Sequence, residues 1–252
     1  MLKISHISKT FNPGTVNEKK AIEDLSLELK KGDFATIIGS NGAGKSTLFN
    51  AICGDFLTDA GSIELDGRDI GEYTRRSLRA AFTMVLQDTW LFEGTVFENI
   101  AYGREGAARE EVERAAKEAH IDGFIRSLPK GYDTVLTDSG VNLSKGQKQL
   151  ITIARAMLSP ARLLILDEAT SNVDTRTEIL IRDAMAKLML GRTSFVIAHR
   201  LTTVRNADLI LVVSGGNIVE SGRHEELLEK KGFYTDIYQA CLLYTSPSPR
   251  DY

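Results

Sequence analysis

The stretch FATIIGSNGAGKST at residues 34–47 decides the fold of this chain. Its first five residues form a short, mainly apolar run that is typical of a buried strand. That run leads directly into GSNGAGKST at residues 39–47, after which a helical pattern begins near Lys45. A strand, a glycine-rich turn and a helix in this order predict a phosphate-binding loop at the carboxyl end of a parallel strand.

The residue types in this loop suit the phosphates of a nucleotide. Glycines let the backbone turn its N–H groups inward, and the positive end of the following helix points to the same place. The Lys45 ammonium can reach the β- and γ-phosphates, and the Ser46 hydroxyl can ligate magnesium. Such a turn also arises by chance, but the flanking strand and helix argue against chance here. The predicted nucleotide-binding residues of the loop are Gly39, Ser40, Asn41, Gly42, Ala43, Gly44, Lys45, Ser46 and Thr47.

A second apolar run, LLIL at residues 163–166, ends in the two carboxylates Asp167 and Glu168. It predicts a buried strand that delivers both groups at its carboxyl end, where ligands bind in open α/β sheets. Asp167 would hold magnesium through water, and Glu168 would polarise an attacking water. A strand ending in Asp-Glu is usually only the start of a loop, but Lys45 upstream favours the catalytic interpretation.

The remaining pattern predicts an α/β fold. Alternating residues indicate edge strands at 2–7 and 25–29, and a further strand at 62–65 precedes an Asp66-Gly67 turn. Helical patterns dominate from about residue 95 to 160, most clearly at 109–119 and 144–158, and apolar runs return at 193–197 and 209–213. We therefore expect a domain over residues 1–240 with a helical insertion at about 88–160. The tail, residues 241–252, is predicted to be unstructured.

The composition excludes several classes of protein. The 252 residues carry a net charge of −3, which gives no bulk attraction to nucleic acid or to anionic lipid. The two cysteines, Cys53 and Cys241, form no metal-binding spacing and no disulfide framework, as expected in a reducing compartment. No apolar run approaches the ~20 residues that cross a bilayer, and the first residues lack a signal peptide's apolar core. These features predict a soluble chain that reaches a membrane only through a partner.

The order of the motifs resembles the ATP-binding cassette, the nucleotide-binding domain, of ABC transporters over roughly residues 1–240. LSKGQ at 143–147 stands where that family has LSGGQ, and SNVD at 171–174 stands where it has the D-loop. Gln87 matches the Q-loop glutamine and His199 the switch histidine. The resemblance implies a P-loop NTPase (RecA-like) core, an N-terminal antiparallel β subdomain and an inserted α-helical subdomain. It also implies ATP and Mg²⁺ as cofactors, and ATP hydrolysis that powers transport.

The resemblance further implies a second cassette as partner, identical or different, and transmembrane domains at the cytoplasmic face of a membrane. Two cassettes would pair head to tail around two ATP molecules, so that residues of one copy complete the site of the other. Gln87 would sense magnesium and the γ-phosphate, and His199 would hydrogen-bond that phosphate, beside Lys45 and Glu168. The resemblance also assigns residues of the LSKGQ and SNVD motifs to nucleotide binding, namely Ser144, Gly146, Gln147 and Asp174.

Some positions leave alternatives open. Lys145 stands where the family has glycine, and a lysine is tolerated there if the backbone is helical. Phe11 is the best candidate to stack on adenine, but it could equally be a core residue at a strand end. The aromatic-rich segment of Trp90, Leu91, Phe92, Phe97 and Tyr102 could dock a coupling helix of a membrane domain, or could be core.

The branch of the family is mixed along the chain. Residues 71–240 resemble exporter cassettes, residues 1–60 resemble importer ATPases, and the last residues resemble translated adapter DNA. A chimeric sequence joined near 60–72 is therefore expected, and a single divergent cassette is the alternative. A chromosome-organising or DNA-repair ATPase is the alternative, but its long coiled coil between the two motifs has no counterpart here. A regulatory cassette that does not hydrolyse ATP is disfavoured because Glu168 and His199 are both present.

Overall fold

The structure, a computed structural model, describes residues 1–40, 42–86, 89–137, 143–167, 173–198 and 201–245. The chain divides into two compact units. Unit 1 comprises Met1–Ala80 and Thr193–Tyr252, and unit 2 comprises Ala81–Arg192.

The elements are numbered in chain order. The strands are β1 (Leu2–Phe11), β2 (Lys19–Leu29), β3 (Phe34–Ile38), β4 (Ala60–Leu65), β5 (Arg68–Asp69), β6 (Phe82–Val85), β7 (Gly94–Thr95), β8 (Val135–Leu136), β9 (Leu163–Asp167), β10 (Thr193–Ile197), β11 (Leu209–Ser214) and β12 (Asn217–Gly222). The helices are α1 (Lys45–Ile52), α2 (Arg75–Ala80), α3 (Val96–Ala101), α4 (Arg109–Glu118), α5 (Asp122–Ser127), α6 (Lys145–Leu158), α7 (Thr175–Met189), α8 (Leu201–Arg205), α9 (His224–Lys230) and α10 (Phe233–Thr245), with 3₁₀ turns at Ile70–Glu72 and Gly131–Asp133.

One sheet of unit 1 is antiparallel, with strand order β2-β1-β4-β5. Leu2 pairs with Leu29 on one side and with Leu65 on the other, and all three side chains are buried. Asp66 and Gly67 both have positive φ, 53° and 79°, as a two-residue hairpin turn requires. The predicted antiparallel subdomain is therefore confirmed, although β1 continues past the predicted end at Ile7.

The second sheet of unit 1 places β3 between the parallel strands β10 and β11, and β12 pairs antiparallel with β11. The predicted bounds of β3 and β10 agree with the structure. Ile37 is fully buried in this sheet, and Phe49 of α1 packs on Phe195 of β10 with ring centroids 4.7 Å apart. Residues from both sides of the predicted chimeric junction thus share one core, and the carboxyl end of β3 lies between two neighbouring strands.

Unit 2 combines the parallel strands β6 and β9 with helices. Helix α6 is its centre, because α3, α4 and α7 all pack against it and it buries Leu150, Ile151, Ile153 and Ala154. The inserted α-helical part of the predicted fold is confirmed here, with α3 to α6 lying between residues 96 and 158. Strand β6, with the sequence FTMV, was not predicted.

The last described element, α10, runs to Thr245 and so includes the first five residues of the segment expected to be unstructured. Residues 246–252 lie outside the described residues. Within the described ranges, no helix is both long enough and apolar enough to cross a membrane.

Candidate functional site

The predicted phosphate loop follows β3 without an intervening residue. Gly42 and Gly44 have φ of 80° and 105°, in the region that favours glycine. A Cβ atom on Gly39 would lie 2.2 Å from the Val213 carbonyl oxygen, and one on Gly44 would lie 2.4 Å from the Ala21 carbonyl oxygen. Glycine at these two positions therefore lets the loop lie directly against β11 and β2.

The turn between β11 and β12 is hydrogen-bonded to the phosphate loop. The Gly216 N–H donates to the Ala43 carbonyl at 3.0 Å, and the Gly216 carbonyl accepts from the Glu23 N–H at 3.0 Å. A Cβ atom on Gly216 would lie 2.9 Å from the Ala21 carbonyl oxygen. The sequence gives no sign that Gly216 belongs to the site, because its contact with the loop is made by backbone atoms of residues far apart in the chain.

The start of α1 supplies positive charge and donors. The Lys45 Nζ donates to the Gly39 carbonyl at 2.6 Å and to the Ser40 carbonyl at 2.9 Å, so the ammonium folds back over the loop. The N-cap residue of α1 is Gly44, which has no side chain to accept the first N–H groups of the helix, and no acidic residue stands in the first turn. Uncapped helix N–H groups and the helix dipole favour an anion at this end. The residues present therefore fit a phosphate group.

Lys19 is a second cation beside the loop, and no sequence motif marks it. A Cβ atom on Gly42 would lie 4.0 Å from the Lys19 Nζ. Lys19 is the first residue of β2, an exposed position with no motif around it. Only the pairing of β2 with β1 and the packing of Ala21 against Gly44 bring it near the phosphate loop.

The other predicted site residues are distributed over both units. Ser46 and Thr47 follow Lys45 in the first turn of α1. Asp167 is the last residue of β9 in unit 2 and is partly buried. Asn41, Gln87, Glu168 and His199 lie outside the described residues, so their assignments stay predictions.

The LSKGQ motif forms the start of α6, and residues 144–147 are called the signature turn below. The Ser144 Oγ accepts from the Gln147 N–H at 3.2 Å, and the Gln147 Oε1 accepts from the Ser144 N–H at 2.9 Å. This reciprocal pair is a capping box, which fixes where the helix begins. Lys145 is the first residue of the helix, so the lysine that replaces the family's glycine has the helical backbone that tolerates it.

The signature turn packs closely against the start of α7. A Cβ atom on Gly146 would lie 2.4 Å from the Thr177 Cγ2 and 3.1 Å from the Val173 Cγ1. Asp174 caps α7, and its Oδ1 accepts from the Thr177 N–H at 3.0 Å. That hydrogen bond holds the pKa of Asp174 below its usual value. Thr177 therefore joins the two predicted nucleotide-contacting segments of unit 2, which are far apart in sequence.

This contact leads to a prediction for Gly146→Ala. The added methyl group has to displace Thr177, and overpacking of this kind typically costs about 1–3 kcal/mol. We expect ATP affinity at the loop of unit 1 to remain unchanged, and ATP-dependent association of two chains to weaken by roughly tenfold or more. Fluorescent-nucleotide binding and size-exclusion chromatography measure the two quantities. Gly123→Ala is the matched control, because a Cβ atom there meets nothing within 4 Å; equal association of both variants would contradict the prediction.

Phe11, the candidate for stacking on adenine, ends β1 and is partly exposed. Its ring lies edge-on to that of Phe56, with centroids 5.6 Å apart. The Lys9 Nζ is 5.8 Å from the Phe11 centroid and is held by the Asp59 carboxylate at 2.7 Å. These contacts fix the ring at the surface, and its role in stacking stays a prediction.

Trp90, Phe92 and Tyr102 form a surface cluster in unit 2, called the aromatic patch below. The side chains of Trp90 and Tyr102 are 65% and 69% exposed, and the Phe92 ring lies between them at centroid distances of 5.9 and 5.6 Å. The alternative that this segment is entirely core is therefore wrong for two of its residues. Exposed aromatic rings in contact with each other are typical of a surface that binds another protein.

Comparisons with known proteins show the family of this chain. The family model for ABC transporters matches residues 22–171. A fatty acid ABC transporter ATP-binding/permease protein of Mycobacterium tuberculosis is 51% identical over 239 residues, which is 95% of this chain and 37% of that protein. An ATP-dependent lipid A-core flippase of Pseudomonas aeruginosa is 45% identical over 249 residues, which is 98% of this chain and 41% of that protein.

Among solved structures, a bacterial Atm1-family ABC exporter with ATP bound superposes with a TM-score of 0.87 at 39% identity, over 98% of this chain and 42% of that one. The chain thus spans about two fifths of the length of the relatives that it matches. These matches cover residues on both sides of the expected junction near 60–72, and the chimeric origin stays a prediction.

Proposed function

We propose that this chain, which belongs to the ABC transporter family, is the cassette that binds and hydrolyses ATP to power an exporter-type transporter. The relatives named above are transporters or a flippase, and the superposing structure is an exporter. The observation that carries the proposal is the phosphate loop of unit 1. Three features meet there at the end of one strand. They are glycines at two positions without space for a Cβ atom, an uncapped helix start and the Lys45 ammonium.

The chemistry proposed for the site is transfer of the γ-phosphoryl group to water, in which positioning and charge stabilisation do most of the work. Lys45 would hold the β- and γ-phosphates, and the loop N–H groups would bind the remaining phosphate oxygens. Glu168 would orient and polarise the attacking water, and His199 would hydrogen-bond the γ-phosphate. Mg²⁺, when bound, screens the phosphate charges, with Ser46, Gln87 and Asp167 as the residues that would hold it.

The site requires a second copy of a cassette. Ser144 and Gly146 have no assigned role at the nucleotide of their own chain, and we propose that they contact the γ-phosphate bound by Lys45 of a partner chain. The capping box presents the Ser144 side chain at the start of α6, where the helix dipole is positive. The aromatic patch would dock a coupling helix of transmembrane domains, and this docking would hold the cassette at the cytoplasmic face of the membrane.

The proposal is tested by the dependence of turnover on chain concentration. Because each site needs the signature turn of another copy, phosphate release per chain should rise with chain concentration at saturating Mg-ATP and then level off. Release is measured by a coupled phosphate assay over a wide range of chain concentrations. A rate per chain that stays constant over that range would show that one copy is sufficient, whereas absence of any release would contradict the hydrolytic function itself.

A further inference from the structure

Arg155 connects α6, the helix that begins at the signature turn, to the aromatic patch. Its Nε donates to the Asn99 carbonyl at 2.7 Å, its Nη2 to the Asn99 Oδ1 at 3.0 Å, and its Nη1 to the Trp90 carbonyl at 3.2 Å. The guanidinium carbon also lies 5.9 Å from the Phe92 ring centroid and 5.6 Å from that of Tyr102. Every one of these partners belongs to the segment that forms the aromatic patch.

The guanidinium is paired with neutral groups. No ion pair involves Arg155 within the part of the chain that the structure describes, and burial lowers the pKa of its guanidinium. The planar group is instead fixed by two carbonyls, one amide oxygen and two ring faces. The planar guanidinium of arginine fixes the orientation of the groups that it binds, whereas the ammonium of lysine, on a flexible side chain, does not.

Asn99 holds the backbone of the aromatic patch by further hydrogen bonds. It is fully buried, its Nδ2 donates to the carbonyls of Phe92 and Thr95 at 3.0 and 3.1 Å, and its Oδ1 accepts from the Phe92 N–H at 3.1 Å. The aromatic patch is therefore tied to Asn99, and Asn99 is tied to Arg155. A displacement of Arg155 cannot leave the backbone of the patch in place without breaking these hydrogen bonds.

A backbone contact joins the same two elements independently. A Cβ atom on Gly103 would lie 1.9 Å from the Arg155 carbonyl oxygen. The chain that leaves the aromatic patch at Tyr102 thus touches α6 at the residue whose side chain reaches the patch. The side chain and the backbone carbonyl of Arg155 thus each contact this segment. Two independent contacts at one residue indicate that α6 and the segment move together.

We propose that Arg155 is a positioning residue that couples the aromatic patch to the signature turn. Arg155 follows Ser144 by eleven positions on one helix, about 16 Å along its axis. When nucleotide-dependent pairing of two chains moves the signature turn, α6 carries Arg155 and the patch with it. A partner bound to the patch biases the signature turn in return, since coupling between two sites is reciprocal. This inference rests on the proposed function.

The only tryptophan of the chain, Trp90, reports on the patch directly. The experiment uses the full chain with Glu168→Gln, which should hold the ATP-bound pair, with and without Arg155→Lys. Nucleotide affinity is measured first with a fluorescent ATP analogue, and acrylamide quenching of Trp90 is then compared with and without Mg-ATP. We expect Mg-ATP to change the quenching in the parent chain. In Arg155→Lys the affinity should be unchanged and the quenching change should be lost.

Arg192→Lys is the matched control. Arg192, which follows α7 in the chain, also has a partly buried guanidinium, and it donates to the carbonyls of Ala156, Met157 and Ser159 at the end of α6, at 3.0, 3.3 and 3.0 Å. It touches the end of the helix and not the patch, so its replacement should preserve the quenching change. An equal loss in both variants, or a full quenching change in Arg155→Lys, would overturn the coupling.

The parent chain separates this inference from the proposed function. If it binds the analogue but Mg-ATP leaves Trp90 quenching unchanged, the coupling is wrong and the nucleotide site stands. If it binds no nucleotide at all, the proposed function is wrong and the coupling is overturned with it.

Discussion

Lys45→Ala is expected to abolish ATP binding. The Lys45 ammonium lies over the phosphate loop, 2.6 and 2.9 Å from the carbonyls of Gly39 and Ser40, where triphosphate oxygens would also bind. Two unit charges 4 Å apart interact by about 4 kcal/mol at an effective dielectric constant of 20. Loss of that attraction corresponds to roughly a thousandfold in affinity, since each 1.4 kcal/mol is a factor of ten.

Calorimetric titration of ATP at moderate salt measures this effect. Lys19→Ala is the matched control, because Lys19 is a second cation near Gly42 but lies at an exposed position, where water and salt screen its charge. Its replacement should weaken binding by far less than that of Lys45. An ATP affinity of Lys45→Ala equal to that of the unmodified chain would remove Lys45 from the site.

The parts of the fold that were predicted well are those whose pattern is local. The parallel strands β3 and β10 are short apolar runs buried on both faces, so their bounds agree with the structure to the residue. Strand β1 was predicted too short because the pairing register shifts after Ile7 and the alternation of buried and exposed side chains is lost beyond it. Strand β6 contains the polar Thr83, so its four residues do not form a continuous apolar run.

The parts of the site that were missed depend on contacts between distant residues. Gly216 reaches the phosphate loop through backbone atoms, and the Gly146–Thr177 contact joins the starts of two helices. The partners of Arg155 are carbonyls, one amide and ring faces, which leave no charge pattern in the sequence. Sequence motifs identify residues that act on a ligand, whereas the residues that hold those motifs in place become visible only in the folded chain.

The substitution Glu168→Gln should stop hydrolysis without preventing ATP binding. Residue 168 directly follows Asp167 at the carboxyl end of β9, where the sequence predicts the group that polarises the attacking water. Glutamine has nearly the same size but cannot accept the proton, and general base catalysis typically contributes about 10²–10⁴-fold to the rate. The phosphate loop in unit 1 is unchanged, so ATP still binds. Because the bound ATP then persists, pairs of chains held together around it should accumulate.

Size-exclusion chromatography with Mg-ATP and a phosphate-release assay separate the two parts of this prediction. A stable ATP-dependent dimer with turnover reduced by orders of magnitude is the expected result, and Lys45→Ala in the same chain should abolish the dimer. A dimer that still hydrolyses ATP at the full rate would remove Glu168 as the base while preserving the pairing. A monomer that has lost turnover would preserve the base and contradict the shared site. A monomer with full turnover would contradict both, since neither Glu168 nor the signature turn of a second copy would then be needed.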